Sequence, residues 1–246
     1  MREEIQAVVS AFSRGELEES ALLCEKEISV CQNAFMEALT VNTATDYIGV
    51  VILYCQITAE MKKPWRAVPE LESAAGALRF LQDFMADRSM VASTCFTVAE
   101  SFAYAGFLPE ALRYFTLCAA LSEDQEEKIR SYASAFYYDF RFHGEVSDEL
   151  LAEAEKDLGK SEVKKQMQSA RLQANEQIKT DPSENSEAFL KIRYEVERKV
   201  DDALANDKGG EGYCFRYWNT KKQILKDEFG LDWKTPEEMN PSIQFR

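Results

Sequence analysis

The residues best able to do chemistry are few. The chain has one histidine, His143, and six cysteines, at positions 24, 31, 55, 95, 118 and 214. No two cysteines stand two to four residues apart, so the ligand pairs of a zinc site are not written into the sequence, and no metal or other cofactor is expected. Five of the six lie among apolar neighbours on predicted helices, where a reduced thiol behaves as a small hydrophobe. His143 immediately precedes Gly144, where an imidazolium can settle on the end of a helix. A helical enzyme centred on His143 is one alternative for the function. The acidic groups Glu18/Glu19, Glu123/Asp124/Glu126/Glu127 and Asp148/Glu149 all fall in first helical turns, where carboxylates favour the helix dipole without any acid–base role. No glycine-rich phosphate loop, nucleophile elbow, paired-histidine zinc motif or nucleotide fingerprint occurs, so no catalytic residue is assigned.

Charge narrows the partners. Lys and Arg number 29 against 43 Asp and Glu, a net charge of −14. Residues 207–246 hold seven bases and seven acids, so the excess lies in residues 1–206. Such a field repels nucleic acid and anionic membrane. The patch Lys160/Lys164/Lys165/Arg171 is short and lacks interleaved aromatics. The opening Met1-Arg2-Glu3-Glu4 has no signal-peptide core, and the longest apolar run, Tyr47 to Cys55, is about half a membrane span. A cytoplasmic protein is expected, with no membrane or nucleic-acid partner.

With 10 glycines and 6 prolines in 246 residues, turn punctuation is sparse and the fold is expected to be all-α. Helices are predicted near 3–13, 16–39, 45–62, 68–87, 90–105, 109–121, 123–142, 147–157, 161–179, 183–206, 212–229 and 236–239. The β-branched run in 45–62 would suit a buried strand, but nothing elsewhere would pair with it. Ser122, Asp181 and Thr235 are read as helix caps, the last two before a first-turn proline. In 182–204, Phe189, Ile192, Val196, Val200 and Leu204 form one apolar stripe. Gly209, Gly210 and Gly212 then mark a linker, dividing the chain into 1–206 and 207–246.

One turn recurs. Arg14-Gly15-Glu16-Leu17 is echoed by Ala105-Gly106-Phe107-Leu108 and, more loosely, by His143-Gly144-Glu145-Val146. Each glycine closes one helix and an apolar residue follows two later. Across 92–121 the chain resembles a tetratricopeptide repeat. Ala99 and Ala111 stand at the small positions, Phe102 and Phe115 at the aromatic ones, Gly106 at the turn and Leu121 at the close. Cys95 replaces the usual tryptophan and Glu123 the closing proline. The spacing of 91 residues from Gly15 to Gly106 and 38 from Gly106 to Gly144 departs from a regular period.

The resemblance implies an array of antiparallel helical hairpins over residues 1–206 that binds a protein or peptide in a groove lined by the first helices. It places Ser93, Phe96, Glu100, Ala103 and Tyr104 in that groove. Relatives that clamp a peptide carboxylate carry Lys and Asn at the positions of Phe96 and Glu100, so an apolar or basic partner segment is expected instead. A second reading makes Phe96 and Tyr104 ordinary core. Another makes the chain a self-assembling structural protein; the oligomeric state is open.

Residues 213–245 are rich in aromatics. Cys214, Tyr217, Trp218, Leu225 and Phe229 share a helical face, and Gly230 ends the helix. The segment resembles the C-terminal part of certain uncharacterised bacterial proteins, which carry His at the position of Phe215; no activity follows from that. Two readings stand: a helix and tail packed as a cap on the array, or a second binding surface built on Arg216, Trp218 and Lys222.

Overall fold

A computed structural model describes residues 3–84, 87–207 and 209–245. Among them there is no strand, and the fold is all-α, as expected. The helices are α1 (Glu3–Ser13), α2 (Leu17–Glu37), α3 (Val41–Glu60), α4 (Val68–Phe84), α5 (Arg88–Tyr104), α6 (Leu108–Leu121), α7 (Gln125–His143), α8 (Asp148–Leu158), α9 (Lys160–Glu176), α10 (Glu187–Ala203), α11 (Tyr213–Phe229) and α12 (Pro236–Met239). No helix among the described residues is long and apolar enough to cross a membrane.

Caps set several boundaries. The β-branched run is helical, and α3 starts earlier than expected because Thr40 and Thr43 close a reciprocal box at its first turn. Helix α7 starts later than expected. Its cap is Asp124, which accepts from the Glu127 amide at 2.7 Å, and not Ser122. The single helix expected over 183–206 is interrupted. Asp181 caps only a 3₁₀ turn, Pro182–Asn185, and α10 begins after Ser186, whose hydroxyl accepts from the Phe189 amide. Thr235 caps α12 as expected, with Glu238 completing the box.

The recurring turn is real in two places. Gly15 and Gly106 have φ of 77° and 76°. In both, the residue after the glycine donates back to the carbonyl five residues earlier: Glu16 N–H to Ala11 O at 3.1 Å, Phe107 N–H to Phe102 O at 2.9 Å. That is the bond that closes a Schellman turn, and it requires the left-handed residue that glycine supplies. Five residues past each glycine, Ser20 and Ala111 are fully buried, which lets neighbouring helices approach. At Gly144 the bonding differs, the glycine amide reaching Phe140 O, so the third copy is a separate helix end.

The chain divides into two compact units, residues 1–175 and 176–246. This is not the boundary expected at 206/207, since α10 belongs with the C-terminal segment. In the first unit consecutive helices pack in order from α1 to α7, and α3 also meets α5 directly. Its core includes the aromatic chains Phe96–Phe115–Tyr138 and Phe102–Tyr114. In the second unit the predicted stripe of α10 meets α11 and the tail around Phe189, Val196, Val200, Leu225 and Trp233. The glycine-rich stretch is thus a turn inside this unit.

Candidate functional site

The first unit carries two neighbouring clefts, the first lined by α1, α3 and α5 and the second by α5, α6, α7 and α9. The first, about 450 Å³, is lined by Phe12 of α1, by Ile52, Cys55, Gln56, Ala59 and Glu60 of α3, and by Thr97, Glu100, Ser101 and Tyr104 of α5. That volume falls in the range of ordinary ligand sites. Phe12, Glu60 and Tyr104 stand in the last turns of their helices, so three helix C-termini converge at one end. The negative ends of the dipoles add to the two carboxylates there.

The second cleft, about 250 Å³, shares Glu100 and continues across Phe115 of α6, then Arg130, Ser134, Tyr137 and Tyr138 of α7, and Gln166, Ser169 and Gln173 of α9. Its chemistry is different. The Arg130 guanidinium lies over the Phe96 ring, 3.8 Å from its centroid. Burial, with help from Tyr137 and Glu100, pushes the Tyr138 phenol up to about 12, so it remains a neutral donor. Arg141 donates to the Tyr137 oxygen at 3.4 Å, leaving the Tyr137 proton for another acceptor.

The structure separates the five groove residues implied by the repeat. Glu100 and Tyr104 line the first cleft, with Tyr104 72% exposed. Phe96 does not face the groove. It is 5% exposed, packed edge-on against Phe115 with ring centres 5.1 Å apart, and forms the floor beneath Arg130. Ala103 is half-buried against the core. The Ser93 hydroxyl donates to Glu127 at 2.8 Å, tying α5 to α7. Glu60, Gln56, Phe12 and Ile52 were missed because they lie on other helices. Their one sequence signal is the place of Phe12 and Glu60 just before helix-ending turns.

The second surface expected on α11 is largely engaged. Arg216 grips Asp207 at 2.6 and 3.0 Å and also donates to the Glu211 and Gly209 carbonyls, so it organises the glycine-rich turn. Lys222 pairs with Glu238 at 2.6 Å. Trp218 is half-buried between Phe215 and Phe245, both edge-on.

That unit holds a buried cluster the sequence reading missed. Lys221 and Glu197, 6% and 5% exposed, are paired at 2.8 Å, and Tyr217 donates to the same carboxylate. The ammonium also lies 5.1 Å from the Trp233 ring centre and 5.5 Å from that of Phe189. Burial alone would raise the Glu197 carboxyl. Lys221, by charge and hydrogen bond, and the Tyr217 hydroxyl outweigh it and hold the group below its ordinary value.

His143 has a defined partner as well. Its Nδ1 is 2.5 Å from Asp139, a fully buried carboxylate whose other oxygen accepts from the Ser147 amide at 2.9 Å. The pair ties the end of α7 to the cap of α8. Among the described residues no group of three or more His, Cys, Asp or Glu side chains is placed to hold a metal ion. Comparison of the chain with protein-family models, with curated proteins and with solved structures found no match to any of them.

Proposed function

We propose that the chain is a cytoplasmic, tetratricopeptide-like helical-repeat module that binds a segment of another protein along the face formed by α1, α3, α5, α7 and α9, and acts by binding rather than catalysis. The observation that carries this reading is the run of two clefts across that face, with Tyr104 standing open at the first. A large aromatic left in water on a concave surface is the usual anchor of a peptide site. The Schellman turns at Gly15 and Gly106, which set one hairpin after another, support the repeat-like arrangement. Buried thiols outside any disulfide among the described residues suit a reducing compartment.

The test is site-specific photo-cross-linking in cells. A photoreactive phenylalanine replaces Tyr104 in one variant and Leu22, exposed on α2, in another. A protein captured at position 104 but not at 22, and lost when Glu100→Lys is added, is the expected result. Capture that is equal at both positions, or absent at 104, would overturn the reading.

A further inference from the structure

We propose that the first cleft receives the guanidinium of an arginine presented by a segment of the partner protein, an assignment that rests on the peptide-binding reading above. The lining is rich in acceptors. The Thr97 hydroxyl donates to Ser93 O at 3.1 Å and the Ser101 hydroxyl to Thr97 O at 2.9 Å. Both protons are turned onto the backbone of α5, so these oxygens offer lone pairs to the cleft. Glu60 and Glu100 are exposed and have no ion pair among the described residues. No Lys, Arg or His lines the cleft. Its complement is a ligand group with several donors, no acceptor and a positive charge, which arginine and lysine both supply.

Two details favour arginine over lysine. A planar fork can engage more than one acceptor at once, whereas an ammonium acts as a point charge. The open Tyr104 ring offers a face on which a guanidinium stacks, as Arg130 does on Phe96 a short distance away. Arg130 also fixes the direction. A cation is disfavoured beside Arg130, so the arginine enters the first cleft while the acceptors of the neighbouring ligand backbone meet Arg130, Tyr137 and the Gln166 and Gln173 side-chain amides. The acidic excess of residues 1–206 speeds the approach of such a segment at low salt.

The probes are a short peptide with one central arginine in an alanine–serine–leucine frame, the same peptide with citrulline, and N-acetyl-arginine amide. Each is titrated into the isotope-labelled full chain and followed by NMR. The arginine peptide should perturb the amides of Ala59, Thr97 and Ser101 in a saturable way. It should bind at least about tenfold tighter than the citrulline peptide, which keeps the shape and loses the charge. Glu60→Gln and Glu100→Gln, each shown to melt with the wild type, should each weaken it by about tenfold. Equal binding of the citrulline peptide, or no saturable change at the cleft, would overturn the assignment. Equal affinity for N-acetyl-arginine amide would identify a small-molecule cation site and overturn the segment as occupant. Cross-linking at position 104 reads the binding face independently, so failure of the arginine and failure of the face are distinguishable.

Discussion

In the second unit, the two cations offered by the sequence as a second surface are engaged within the chain, Arg216 by Asp207 and Lys222 by Glu238, and the buried Lys221 is paired with Glu197, which also accepts from Tyr217. In the first unit, Glu60 and Glu100 border a cleft and have no ion pair among the described residues, and Tyr104 stands open beside them. Both regions are rich in charge and aromatics. The difference lies in whether the chain already supplies the partner, and that makes the first unit the better candidate for binding.

The largest effect should follow from breaking the buried pair. Lys221→Met leaves the Glu197 carboxylate buried and uncompensated, which should cost about 3–5 kcal/mol. Denaturant unfolding of the full chain, followed by tryptophan fluorescence, reads this through the buried Trp233. Adding Glu197→Leu should recover most of the loss, because an apolar pair of similar volume removes the orphaned charge. If the double variant is no better than the single, the cluster is held by packing and not by charge.

Phe96 and Tyr104 make the same contrast within α5. Phe96→Ala should cost about 3–5 kcal/mol, with its ring lost from between Phe115 and Arg130. Tyr104→Ala should change stability by no more than about 0.5 kcal/mol. Paired thermal melts decide it, and equal losses would return Tyr104 to the core.

Acid sharpens the comparison further. The Glu197 carboxyl is held below its ordinary 4.5 in the folded chain. Its contribution is therefore fully present above that ordinary value and is lost as pH falls through the lowered folded value. Stability of the second unit should fall below about pH 4.5, and Lys221→Met should reverse the Glu197 part of that dependence, because burial then raises its carboxyl. A pH series of unfolding midpoints checks the sign.

The mildest perturbation is chemical. Burial pushes the Cys24, Cys55 and Cys95 thiols up to about 12. At pH 8 only about one in ten thousand of each is thiolate, so brief alkylation of the native chain should spare them and mark the half-buried Cys214 first. Peptide mapping after a timed pulse reads the order.

Much of the helical order was legible because it is local. Gly15 and Gly106 wrote two matching turns, Thr235 and Glu238 a capping box, and the stripe from Phe189 to Val200 a single docking face. Ser186 escaped notice because Asp181 and Pro182 offer a helix start five residues earlier, although the Ser186 hydroxyl is what starts α10. The faces of α5 were not legible. Val91, Cys95, Phe96, Val98, Ala99 and Phe102 are all buried, so apolar residues surround most of the helix and periodicity cannot tell which aromatic points outward. Glu60 and Glu100 come to line one cleft, and Glu197 to pair with Lys221, only through packing between different helices. Their charges, read singly, look like ordinary solvated positions.

The most direct test sets the two units against each other, using the protein captured at position 104. Its affinity is measured by calorimetry for the wild type, for Glu100→Lys with Tyr104→Ala, and for Arg216→Glu with Lys222→Glu, all confirmed to be folded. The account predicts a loss of at least about tenfold from the first pair and no significant change from the second. A loss confined to the Arg216/Lys222 variant would place the binding surface in the second unit and contradict it.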